Sequence, residues 1–160
     1  MIQNELEGNK MIAIACDHGA VALKKEIEQM LDEMGLAYQD FGTDSSASVD
    51  YPVYAEKAAR AVTSGECDRG ILLCGTGLGM SLAANKVRGI RCALCGDCFS
   101  AEMSRRHNNA NMLALGARVI GPELAKMITR IFLTTEFEGG RHARRVGMID
   151  TLDQGGTLNE

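Results

Sequence analysis

The chain predicts an α/β fold: three layers, αβα, around a doubly wound, Rossmann-like sheet of about five parallel strands. Three observations lead there. Short apolar runs of the kind buried on both faces alternate with longer segments of helical period. One of those runs passes into a glycine-rich turn, Gly75 to Gly79, that opens a helical segment. Finally, 160 residues with 46% hydrophobic content suit one core, too few for two independent ones.

The elements follow in order. Met11 to Cys16 is the first strand. Val21, Leu23, Ile27, Met30, Leu31 and Met34 then recur at three- and four-residue steps, an amphipathic helix that Gly35 can cap at its C-terminus. A second strand lies around Leu36 to Phe41. The polar stretch Gly42 to Asp50 reads as a loop, and Pro52 suits the first turn of a helix running to about Thr63, where the missing N–H is harmless. Gly70 to Cys74 forms the third strand, with a helix near Leu78 to Lys86 after the glycine turn. A fourth strand near Ile90 to Leu94, a helix from about Ser100 to His107 and a fifth strand near Met112 to Leu115 come next. Pro122 and Glu123 open a helix with Leu124, Met127, Ile128, Ile131 and Phe132 on one side, and a more polar last helix begins after Gly140. Residues 1–10 are a polar extension, and residues 11–160 are expected to form a single domain.

Composition narrows the function. Aromatics are 4% with no Trp and the formal charge is −4, a poor basis for stacking bases or tracking a nucleic-acid backbone. No apolar run approaches a membrane span and no signal-like segment opens the chain, so a cytoplasmic protein is expected. In that compartment the six cysteines read as reduced thiols. Cys92, Cys95 and Cys98 invite a metal reading by spacing, but two of them fall on one strand at positions facing opposite sides of the sheet.

In doubly wound sheets, ligands bind beyond the carboxyl ends of the strands. Three polar groups are expected to share that edge: Asp17 and His18, the segment Cys74 to Gly79, and His107 to Asn111. Glycines let a backbone aim N–H groups at an anion, although neither the dinucleotide nor the Walker fingerprint is complete and a plain tight turn has the same spacing. Cys74 reads either as a thiol activated by the following helix or as a small buried hydrophobe. His18, His107 and His142 all stand near element ends, where an imidazole can move protons or merely be a satisfied structural side chain. Arg141, His142, Arg144 and Arg145 form a cation cluster, with Arg141 and Arg145 one helical turn apart, spaced for a phosphate or for a solvated basic face.

Taken jointly, Cys16-Asp17-His18-Gly19, Asp50-Tyr51-Pro52, Gly70 to Gly79, Ala83-Ala84-Asn85-Lys86, Ser104-Arg105-Arg106-His107-Asn108 and Glu138-Gly139-Gly140-Arg141-His142 resemble the ribose-5-phosphate isomerase B family, which also includes the galactose-6-phosphate isomerase subunits. The resemblance spans about Met11 to Asp150. It implies a homodimer or tetramer with each active site shared between subunits, a small phosphorylated sugar as substrate, no cofactor and no metal, and no nucleic-acid or membrane partner. It further implies that Cys74 moves a proton between C1 and C2 while His107 opens the sugar ring. Thr76 and the amides of Gly75, Gly77, Leu78 and Gly79 would polarise or stabilise the reacting oxygens, and Asp17, Tyr51 and Asn108 would hold hydroxyls. His18, Arg118, Arg141 and Arg145 are the implied phosphate contacts. Cys74 with Thr76 and His107 favours ribose 5-phosphate over the substrate of the galactose-6-phosphate subunits, allose 6-phosphate stands as a second substrate, and a non-catalytic sugar-phosphate-binding protein is the rival of a different class.

Overall fold

The computed structural model describes residues 11–159, so the polar extension 1–10 lies outside the described residues. Its elements alternate in chain order: β1 (Ile12–Cys16), α1 (Val21–Glu33), β2 (Tyr38–Asp40), α2 (Tyr51–Thr63), β3 (Arg69–Cys74), α3 (Leu78–Ala84), β4 (Cys92–Leu94), α4 (Cys98–Arg106), β5 (Met112–Gly116), α5 (Pro122–Thr134) and α6 (Arg141–Asp153). Every strand pairing is parallel, in the order β2-β1-β3-β5-β4. Ends differ from the sequence reading by a residue or two. The fourth strand is shorter at its start, because the backbone N–H of Arg91 is drawn to the Asn111 side chain (2.8 Å) before laddering begins.

The burial pattern explains the layering. Strands β1 and β5 are buried at every position, and their side chains alternate between two cores. Ile12, Ile14, Ile71, Leu73, Leu113 and Leu115 pack under α1, α4 and α5 with Ile27, Leu31, Ile128 and Phe132. Ala13, Ala15, Leu72 and Ala114 face α2 and α3, where Ala55, Ala58 and Ala59 let the helix lie close. Gly35 ends α1 at φ 68°, a left-handed conformation that glycine adopts without strain.

Two features of the topology matter for function. Strand β1 sends the chain to β2 on one side and to β3 on the other, so the crevice outside the carboxyl ends of β1 and β3 is a topological switch point. In addition, β5 inserts between β3 and β4, which sets Gly116 directly opposite Cys74. Cys92 packs in the core under α2 and α3, whereas Cys95 and Cys98 belong to the core on the other face. The cysteine run is therefore divided by the sheet.

Candidate active site

At the carboxyl edge, Cys74 closes β3 and is 5% exposed. Its sulfur accepts a hydrogen bond from the Gly77 N–H at 3.1 Å. Gly77 can offer that N–H because it sits at φ 78°, and it has no room for a side chain: a Cβ there would lie 2.4 Å from the Leu94 Cδ1 and 3.0 Å from the Leu115 carbonyl carbon. The Leu78 N–H donates to the Thr76 Oγ1 at 3.3 Å. Two of the turn's amides are thus already used, and those of Gly75, Thr76 and Gly79 have no partner among the described residues.

The neighbours of this turn come from three other elements. Asp17, buried at the end of β1, accepts the Gly19 N–H at 2.8 Å. His18 accepts the Val49 N–H at Nδ1 (3.2 Å), which leaves Nε2 as the N–H nitrogen of a neutral ring. Arg118, just past β5, donates its backbone N–H to the Gly75 carbonyl (2.9 Å) and lays its guanidinium against Gly75 and Gly19. Tyr51 begins α2 with its ring so close to Gly79 that a Cβ on Gly79 would stand 2.8 Å away. Thr76 and Leu78 are exposed on the rim.

The remaining predicted residues are elsewhere, and the expectation that all three polar groups share one edge is corrected. Met112 of β5 pairs with Gly70 at the start of β3, so residues leading into β5 lie at the amino edge of the sheet, about 13 Å of strand away from Cys74. His107 caps the end of α4 there, with exposed Asn108 beside it. Arg141 and Arg145, both exposed on α6, belong to the same end: α6 is tied down by Arg91 with Asp150 (3.0 Å) and by the Gly89 N–H on Asp153 (2.7 Å). The predicted residues of one chain therefore fall into two groups at opposite edges of the sheet.

Several further residues were given no role from sequence. Lys24, fully buried in α1, donates to Asp40, to Asp44 (2.9 Å) and to the Thr43 carbonyl (3.1 Å). Burial alone would lower its pKa, but the hydrogen bonds it donates to Asp40 and Asp44 outweigh that and raise it well above the usual lysine value. This clamp fixes the loop that carries Val49 to His18. At the amino edge Arg105 bonds Asn109, the Ala110 carbonyl and Thr135 (3.2 Å), and desolvation followed by repulsion from Arg69 pushes its pKa down to about 10. Glu138 faces both His107 and His142. A glutamate four residues before a histidine was the available signal for that last contact.

Four other thiols are held in their protonated form by burial, Cys16, Cys67 and Cys95 to about 11 and Cys92 to about 12. Among the described residues, His107, Glu138 and His142 bring ligand-type atoms within 4.8 Å of one another. The two rings are parallel, 8° apart in plane and 4.1 Å between centroids.

Residues 12–149 match the family model described as Ribose/Galactose Isomerase. The chain is 52% identical over 145 residues to ribose-5-phosphate isomerase B of Escherichia coli strain K12, covering 91% of this chain and 97% of that protein. It is 50% identical over 139 residues to the D-erythrulose-4-phosphate isomerase of Pectobacterium atrosepticum, covering 86% and 91%. The solved structure of Clostridium thermocellum ribose-5-phosphate isomerase B superposes with a TM-score of 0.89 at 54% identity, covering 91% of this chain and 98% of that one.

Proposed function

The chain belongs to the ribose/galactose isomerase family and is a sugar-phosphate isomerase, and from that premise we propose that it interconverts D-ribose 5-phosphate and D-ribulose 5-phosphate with Cys74 as the base. The observation that carries the proposal is the sulfur at the head of the glycine turn, receiving the Gly77 N–H, with Arg118 laid against Gly75 and Gly19 and with Asp17 beside Gly19. The Gly77 N–H fixes the sulfur at the mouth of the turn, where it can meet a bound sugar. The open aldose would lose its C2 proton to the Cys74 thiolate. Negative charge then gathers on the C1 oxygen of a cis-enediolate, within reach of the amides of Gly75, Thr76 and Gly79, where each well-placed donor is typically worth about 10² to 10³ in rate. The O2 hydroxyl proton passes to O1, and return of the abstracted proton to C1 as the C2 carbonyl forms completes the ketose.

His107, Asn108, Arg141 and Arg145 enter this site from a second copy of the chain. Within one copy they sit at the far edge of the sheet, and the exposed Val53, Leu78 and Leu82 beside the turn offer that copy an apolar seat. A groove of about 660 Å³ between α2 and α3, lined by Tyr51, Leu82, Lys86 and Arg88 among others, continues the same surface. In the completed site Asp17, Tyr51 and Asn108 hold hydroxyls, Thr76 polarises the reacting oxygens, and His18 with Arg118 meets the phosphate together with the incoming arginines. His107 opens the ring. Residues 11–160 act as one isomerase domain.

The test is direct. Purified protein without added metal should convert ribose 5-phosphate to the ketose, and Cys74→Ala should reduce turnover about a thousandfold. Undiminished turnover would remove the thiol from the mechanism. A relative named for a four-carbon substrate makes the choice of sugar an open comparison, so the same assay on allose 6-phosphate, galactose 6-phosphate and erythrulose 4-phosphate decides whether ribose 5-phosphate is the preferred one.

A further inference from the structure

Glu138 is the meeting point of several charged side chains at the amino edge. Arg106 grips its Oε1 through Nε (2.6 Å) and Nη2 (2.5 Å), while Arg106 Nη1 bonds Glu102 at 2.9 Å. The hydrogen bond to Arg106 holds the Glu138 carboxyl below the usual range, so it stays ionised. Its free oxygen, Oε2, faces His142 Nε2 at 3.5 Å and His107 Nε2 at 3.9 Å. The second separation is beyond hydrogen-bond reach, so there the carboxylate acts through its charge. The His142 side chain is 9% exposed, and its Nε2 is buried with no hydrogen-bond partner among the described residues. Native structures rarely leave such an atom unsatisfied.

Burial lowers the pKa of the His142 ring, and the facing His107, Arg141 and Arg145 lower it further against the opposite pull of Glu138. Two parallel imidazoles this close, with one carboxylate to balance them, accommodate one proton readily and a second poorly. We propose that Glu138 and His142 are positioning residues for His107, holding its ring by stacking and supporting a single proton shared across the pair. The inference rests on the ring-opening role given to His107 above. With Nε2 turned to the carboxylate, Nδ1 is left for the sugar. His107 takes the proton of the anomeric hydroxyl as the C1–O4 bond breaks, its electron pair passing to O4. His107 then delivers that proton to O4, so the enzyme's proton count returns to its starting value. Glu138 balances the charge in the interval.

Ribulose 5-phosphate separates this step from the isomerisation, because its O5 carries the phosphate and it cannot close a furanose ring. Deuterium wash-in at its C1 in D₂O therefore reads the proton transfer without ring opening. In Glu138→Gln, which keeps the shape of the side chain, ribose 5-phosphate turnover at neutral pH should fall about tenfold, the loss expected of a mistuned acid-base group, with wash-in changed by less than about twofold. NMR titration of the three histidines should show the stacked pair moving to lower pH by about half a unit or more in that variant, and in His142→Asn the remaining ring moving upward. Unchanged titration curves in Glu138→Gln, or equal losses in turnover and wash-in, would overturn the proposal. Absence of wash-in by the unmodified protein would instead defeat the isomerase reading, while the titrations would still decide whether the stack shares a proton.

Discussion

Gly77 shows how one residue joins backbone geometry to chemistry. Its left-handed φ of 78° turns its N–H onto the Cys74 sulfur, and the space a side chain would need is filled by Leu94 and the Leu115 backbone. Gly77→Ala should therefore lower stability by about 1–3 kcal/mol through backbone strain and contact. It should also cut kcat by about tenfold or more while the KM changes less, because in the proposed mechanism the lost donor serves Cys74 and not substrate binding; thermal unfolding and steady-state assays would check both. At this scale the sequence was legible where neighbours along the chain make the chemistry, as in the run from Cys74 to Gly79. It was silent where chemistry depends on distant partners. Glu138 acquires its meaning only because α4 ends beside the start of α6, and Lys24 reads as one more lysine until Asp40 and Asp44 close over it.

The loop between β2 and α2 depends on that lysine. Lys24 has a raised pKa, so its contribution is complete below the unfolded value of about 10.4 and is lost only as pH rises beyond it; Asp44, depressed chiefly by its hydrogen bond to Lys24, contributes above about 3.9 and is lost as pH falls. Between those limits the clamp is intact. Lys24→Met should destabilise the fold by about 1–3 kcal/mol, and by freeing Val49 from His18 it should raise the KM for a sugar phosphate more than it lowers kcat. Denaturant unfolding with steady-state kinetics on that variant tests the assignment. Element types and order were readable because apolar runs of strand length and helical stripes do not overlap in this chain. The misplacement of His107 has a simple origin: a segment that leads into a parallel strand lies at the opposite edge from a segment that leaves one, and chain direction alone carries that information.

Across the whole molecule, the two groups of predicted site residues at opposite edges lead to a genetic-style prediction. If each cleft joins Cys74 of one copy to His107 of another, Cys74→Ala and His107→Asn are each inactive alone, yet mixed dimers possess one intact cleft. Random reassortment of equal amounts should restore about a quarter of unmodified activity, since half the dimers are mixed and each has one working site of two; no recovery after co-refolding would mean that the cleft is completed within a single chain. The pairing order β2-β1-β3-β5-β4 was beyond sequence reading, because nothing local says that the last strand goes inside. That placement also bears on synthesis. Strand β4 has β5 as its strand partner in the sheet, so a nascent chain that has emerged only as far as β4 holds four strands of which three can pair. The fourth edge must wait, unladdered, until some twenty further residues leave the ribosome and Met112 to Gly116 slide in beside β3.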